Sequence, residues 1–141
     1  MKRHALTLWT VAAALCAAGA VAQTRGLPPE QRAGDVVFVT GGVTDDEAAA
    51  FKSAMGSYPL AVEVIQSNAG RGLYTAGATV QVTRHSGEVM LNTRAEGPFV
   101  LLRVPPGDYR VDATLNGRTL SKDVSVAAQG TTRAVISFAG E

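Results

Sequence analysis

The chain has 141 residues, enough for one domain of ordinary size and too few for two. Lys and Arg total 13 against 12 Asp and Glu, and the two signs are interspersed along the sequence. A phosphate backbone would need a concentrated positive face, so nucleic acid is excluded as a partner.

Residues 1–22 have the make-up of a secretory signal peptide. Lys2, Arg3 and His4 form a basic start, an Ala- and Leu-rich apolar stretch follows, and Ala20-Val21-Ala22 gives the small-x-small site. Cleavage is expected between Ala22 and Gln23. The apolar stretch is short for a membrane span, and no later segment reaches the roughly 18 apolar residues that a spanning helix needs. Cys16 is the only cysteine and lies inside the signal. Leu15 precedes it where a lipoprotein would need a small residue, so no lipid anchor is expected. The mature chain then has no cysteine and no disulfide, and its core must hold it together unaided. Removal of Lys2 and Arg3 leaves a slight excess of acidic residues. The expected address is the periplasm or the medium.

Residues 23–34 contain two prolines and no apolar period, and read as a flexible leader. Asp35-Val-Val-Phe-Val39 is a short strand ended by Gly41-Gly42. Thr44-Asp45-Asp46-Glu47 matches a capping box, in which Thr44 caps a helix and Glu47 reaches back to the Thr44 amide. The three carboxylates also suit the positive end of a helix dipole. Ala48, Phe51 and Met55 form one apolar stripe, so a helix is predicted over 45–55, stopped by Gly56.

From Tyr58 the hydrophobic period becomes two. Leu60, Val62 and Val64 alternate with smaller or polar residues, and residues 67–72 read as a polar loop. Ala78, Val80 and Val82 alternate next, and His85-Ser-Gly87 reads as a turn. Val89 and Leu91 continue the pattern. Phe99 to Val104 is apolar on both faces except at Arg103, the mark of a strand covered on both sides. Pro105-Pro106-Gly107 reads as a type II turn leading to a hairpin. In the next strand Tyr109, Val111, Ala113 and Leu115 oppose Asp108, Arg110, Asp112 and Thr114. Asn116-Gly117 is a strong type I′ hairpin signal. Leu120, Val124 and Val126, then Ala134, Ile136 and Phe138, complete the sheet pattern. Turn signals this frequent predict an antiparallel β-sandwich of six or seven strands over 58–141, preceded by a strand–helix segment over 35–57.

The run Ala78-Thr-Val-Gln-Val-Thr83, the turn at Gly87, and Gly97-Pro-Phe-Val-Leu-Leu-Arg-Val-Pro-Pro-Gly-Asp-Tyr-Arg-Val111 resemble carboxypeptidase regulatory-like domains of the transthyretin (prealbumin-like) group. Thr40-Gly-Gly-Val-Thr-Asp-Asp-Glu47 also resembles the segment preceding such a domain in a small group of exported proteobacterial proteins. The resemblance implies a prealbumin-like sandwich acting as an accessory or interaction module. Transthyretin-like enzymes that hydrolyse a purine-breakdown product carry several histidines and a C-terminal Tyr-Arg-Gly-Ser. This chain ends Ser-Phe-Ala-Gly-Glu141 and lacks both, so the resemblance does not extend to that activity.

His85-Ser-Gly-Glu88 matches a literal zinc-binding H-x-x-E, but a hydrolytic zinc needs three protein ligands and His85 is the only histidine after the signal. The same residues suit a hairpin turn. Gly41-Gly42 before a helix could hold an anion, yet Asp45, Asp46 and Glu47 would repel it there. That acidic trio could hold calcium, but consecutive helical residues splay apart and capping explains them. No G-x-S-x-G elbow occurs. Tyr74, with Arg71, is the residue pair singled out for possible ligand contact, in the loop over 67–74. The expected function is therefore an exported, non-catalytic module that contacts another envelope protein, with no catalytic residue, metal or cofactor. The alternatives are a small-ligand or glycan-binding module using the 67–74 loop, and a hydrolase built on His85.

Overall fold

The computed structural model describes residues 26–68 and 71–139, with only the backbone for Asn68 and residues 71–74. The signal segment, the cleavage site at Ala22 and Gln23, and Cys16 lie outside the described residues. In chain order the elements are β1 (Gln31–Ala33), β2 (Val36–Gly41), α1 (Asp45–Ala54), a 3-10 turn (Met55–Ser57), β3 (Leu60–Asn68), β4 (Arg71–Tyr74), β5 (Thr79–Arg84), β6 (Val89–Arg94), β7 (Phe99–Arg103), β8 (Gly107–Leu115), β9 (Arg118–Val126) and β10 (Thr132–Ala139).

The fold is mainly β, as expected: two sheets form a sandwich, and among the described residues one short α-helix lies outside it. One sheet runs β1-β2-β7-β3-β10, with β4 beside the far half of β3. The other runs β6-β5-β8-β9. Between them lie the alternating apolar residues, including Leu60, Val62 and Val64 of β3, Val80 and Val82 of β5, and Tyr109, Val111 and Ala113 of β8. Their alternation with polar positions is what makes each strand face one way into the core and the other way into water.

β7 is the exception, because it is needed on both faces. Val100 and Leu102 point into the sandwich, while Phe99 and Leu101 join Val39, Ala61, Ala48, Phe51 and Ala54 in a second core under α1. Phe51 and Phe99 stack at 5.5 Å between ring centres. The apolar run on both sides of β7 is thus explained by a central place in the sheet, with the other sheet on one side and the helix on the other. The N-terminal strand β2 completes this layer by pairing antiparallel with β7.

Several details depart from the sequence reading. Pro105-Pro106-Gly107 closes no hairpin, because β7 and β8 lie in different sheets. Both edges of β7 are taken, by β2 and by β3, so β8 cannot pair with it and the chain crosses to the other layer there. Tyr109 Oη donates to the Pro105 carbonyl at 2.5 Å and fixes that corner. The polar stretch at 67–72 is the end of β3 and the start of β4, paired antiparallel. Residues 31–33 of the expected leader form β1, joined to β2 through Gly34-Asp35. The sandwich is not wholly antiparallel either, since β10 runs parallel to β3. Eight strands follow Tyr58 rather than six or seven. Asn116-Gly117 behaves as expected: both residues have positive φ, 51° and 78°, and Leu115 faces Arg118 across a two-residue turn.

The junction below α1 is held by a close backbone approach. Thr40, buried in β2, donates through Oγ1 to the Phe99 carbonyl at 2.9 Å and accepts from the Glu96 amide at 3.1 Å. These bonds draw Gly97 against Gly41, where any Cβ would overlap the Gly41 carbonyl and the Gly42 nitrogen. Gly97→Ala is therefore expected to cost about 1–3 kcal/mol, the usual cost of overpacking. Gly56→Ala, with open space around the added methyl, should stay within about 0.5 kcal/mol of wild type. Urea unfolding of the two variants measures the contrast.

Candidate functional site

A groove of about 620 Å³ crosses one end of the four-stranded sheet and is lined by residues of β5, the β5–β6 turn, β8 and β9. The two-residue turn at Asn116-Gly117 sets the register that builds it. It places Asp108 opposite Ser125, Arg110 opposite Asp123, Asp112 opposite Ser121 and Thr114 opposite Thr119. Because side chains alternate, all eight share the outer face.

Most of these groups already have partners. Ser125 Oγ donates to Asp108 Oδ1 at 2.5 Å, and Ser121 Oγ donates to Asp112 Oδ1. The Thr114 and Thr119 hydroxyls bond each other at 2.8 Å. Arg110 Nε lies 3.4 Å from Asp112 Oδ1, and Asp123, which faces Arg110 directly, has no ion pair among the described residues. Arg84 Nε is buried with no hydrogen bond, and Glu88 Oε2 stands 3.8 Å away.

His85 lines this groove beside Asp108 and Asp123, a grouping that spacing along the chain did not reveal. All three are exposed. The His85 amide donates to the Asp108 carbonyl at 3.1 Å, and the Gly87 amide to the Arg84 carbonyl at 2.8 Å, so His85-Ser-Gly87 is a hydrogen-bonded turn. Among the described residues, no three of His, Cys, Asp and Glu come together closely enough to hold a metal ion. Glu88 pairs with Arg84 and does not join His85 as a ligand set.

The helix start is occupied from within. Thr44 Oγ1 accepts from the Glu47 amide at 3.2 Å, the cap that the motif predicts. The Glu47 carboxylate, however, accepts from the Gly42 amide at 2.6 Å and not from Thr44. It thereby fills the position that an incoming anion would take. The helix stripe is Ala48, Phe51 and Ala54, with Met55 only partly buried beside it.

Tyr74 and Arg71 stand on β4, opposite Ile65 and Asn68 of β3. Their side chains lie outside the described residues.

A further polar cluster was not visible in the sequence, because its members come from distant segments. Tyr58 is buried; its hydroxyl donates to Glu30 Oε1 at 2.6 Å, and the Arg103 guanidinium lies 4.5 Å from its ring centre. Burial, reinforced by the Glu30 hydrogen bond and charge, pushes the Tyr58 hydroxyl up to about 12, against the opposing pull of Arg103. Leu27 also packs on the helix cluster, so this segment lies against the body. A proton held more tightly when folded stabilises the fold fully below pH 10, and that contribution disappears as pH rises from 10 towards 12. Tyr58→Phe should cost about 1–2 kcal/mol at pH 7, the scale of a hydrogen bond to a charged group. The gap from wild type should close as pH approaches 12 in denaturant titrations.

No family model matches the chain. No curated protein matches it either. Among solved structures, the 5-hydroxyisourate hydrolase of Klebsiella pneumoniae is similar over 57% of this chain and 85% of that chain, with 16% identity and a TM-score of 0.41. Among the described residues, no helix is long and apolar enough to cross a membrane.

Proposed function

We propose that this protein is an exported, non-catalytic β-sandwich module that works in the periplasm or the medium by contacting another envelope protein. The observation that carries the reading is the polar outer face of the four-stranded sheet. Its groups sit on a rigid, regular array and bond to their own cross-strand neighbours, as Asp108 does to Ser125 and Asp112 to Ser121. Self-paired groups of this kind keep their geometry without a ligand and present hydrogen-bonding capacity to a broad surface. A catalytic site instead gathers a nucleophile, a base and an orienting group in one enclosed place. The exposed groove beside His85 does not enclose its carboxylates, and the chain offers His85 no second histidine after the signal.

The export half of the proposal rests on the basic, apolar and Ala20-Val21-Ala22 segments. Mass spectrometry of the protein recovered from the periplasm or the medium should give an N-terminus at Gln23; recovery only from the cytoplasm, starting at Met1, would contradict it. The interaction half is tested by in-cell crosslinking from a photoreactive residue placed at Ser121, on the polar face. A discrete crosslinked envelope protein is expected. A hydrolytic activity on ester or amide substrates that disappears in His85→Ala would overturn the non-catalytic reading. His85→Ala should otherwise leave stability within about 0.5 kcal/mol of wild type, as for an exposed side chain.

A further inference from the structure

The two sides of the sandwich are finished differently. On one side β9 runs along β10 and is tied to it at both ends. Thr132 Oγ1 donates to the Ser125 carbonyl at 2.8 Å, and the Arg118 guanidinium donates to the Ala139 carbonyl at 3.3 Å. On the other side β6 ends one sheet and the β1–β2 hairpin ends the other. Among the described residues no hydrogen bond joins β6 to β1 or β2. A groove of about 370 Å³ opens there, between residues 33–36 and residues 88–92.

β6 leaves backbone groups free on its outer edge. The Ala95 amide donates to the Ala78 carbonyl, and the Ala95 carbonyl accepts from the Gly77 amide. By alternation Thr93 and Leu91 also turn their backbone groups to β5, while Asn92 and Arg94 turn theirs away. Next to them a bulge leaves Met90 over, because Leu91 and Val89 face consecutive residues of β5.

The groove beside this edge has an apolar floor and an acidic lip. Val36 and Leu91 are buried in the main core, Met90 is partly buried against them, and Val89 is half exposed. Asp35 and Glu88 are the charged residues of the lining, and both are exposed. Asp35 has no ion pair among the described residues, and Glu88 faces Arg84 Nε at 3.8 Å, beyond hydrogen-bond reach. Arg32, next to the groove in sequence, alternates with Ala33 and shares the other face of its sheet with Val37.

We propose that this seam takes an extended segment of another protein that carries a lysine or arginine. The segment's backbone adds to β6 at Asn92 and Arg94, and its basic side chain lies in the groove. The charge of the lining selects the occupant: two carboxylates and no cation line it. A lysine or arginine stem covers the apolar floor while its head reaches the carboxylates. An acidic segment would meet like charge at the same place. Strand addition then supplies main-chain bonds that any sequence can make, and the acidic lip supplies the choice among sequences. The seam lies at an edge of the sandwich, away from the polar face that carries Ser121. It goes beyond the function proposed above, and the two are tested on different surfaces.

The test titrates a blocked peptide, Thr-Val-Thr-Lys-Thr-Val-Thr, into the purified protein and follows the amide signals by NMR. Saturable binding with a Kd below about 1 mM is expected. Shifts should concentrate at Val89, Asn92 and Arg94, with slower hydrogen exchange at the Asn92 and Arg94 amides. The same peptide with glutamate in place of lysine should bind about tenfold more weakly, since attraction becomes repulsion. Asp35→Asn and Glu88→Gln should each weaken the lysine peptide about two- to fivefold, the scale of an exposed ion pair, without weakening the glutamate peptide. Both substitutions are at exposed positions, and their melting midpoints should match wild type. No binding at 1 mM peptide, equal binding of the lysine and glutamate peptides, or shifts that fall on the β8–β9 face would overturn the proposal.

Discussion

The structure depends on β7 being covered on both faces. A strand at the surface of a sandwich alternates, because one side meets water. Phe99 to Leu102 cannot alternate, since Val100 and Leu102 fill the space between sheets while Phe99 and Leu101 support α1. This requirement places the helix on the outer face of the sheet, against β7 and its neighbour β2, and goes with the close contact of Gly97 with Gly41. Phe51 stacked on Phe99 is where the helix and the sandwich become one core. The segment ahead of the sandwich is accordingly part of its packing. Removing the helix would expose Val39, Ala61, Phe99 and Leu101.

The same economy leaves the other sheet to face solvent. Its outer surface is a ladder of hydroxyls, carboxylates and Arg110, built by a turn that aligns β8 and β9 residue for residue. Side chains in such a ladder are fixed by their cross-strand neighbours. The groove at its end is wide and its charged groups are exposed, so solvent screens them and keeps each interaction weak. Arg84 Nε is the one buried polar side-chain atom among the described residues without a hydrogen-bond partner.

Much of this was legible in the sequence, for reasons that differ by residue. The period-two pattern identifies strands because the pleat alternates, and Thr44 with three following carboxylates identifies the helix start. Asn116-Gly117 contained more than a turn: a two-residue hairpin fixes every later pair, so Asp108 with Ser125 could have been read from it directly. What stayed hidden was anything that joins distant segments. The sheet to which β7 belongs, the parallel pairing of β3 with β10, and the contact of Tyr58 with Glu30 depend on layer assignments that local periodicity does not encode. The Pro-Pro-Gly motif misled for the same reason, since a tight bend looks alike whether it returns within a sheet or crosses to another. That His85, Asp108 and Asp123 line one groove depends on the β5–β8–β9 order, which no spacing along the chain contains. At Gly41-Gly42 the acidic helix start gives a physical argument against an anion, and the Gly42 amide donates to Glu47 instead.

The shared layer makes a demand on stability that is independent of function. If β7 holds the helix and the sandwich in one cooperative unit, neither can open without the other. Native-state hydrogen exchange followed residue by residue tests this most directly. The amides of Phe51 and Ala54 in α1 and of Val100 and Leu101 in β7 should exchange with the same opening free energy, equal to that of global unfolding. Helix amides that exchange at a distinctly lower free energy, while β7 remains protected, would show that the helix is an appendage and contradict the account.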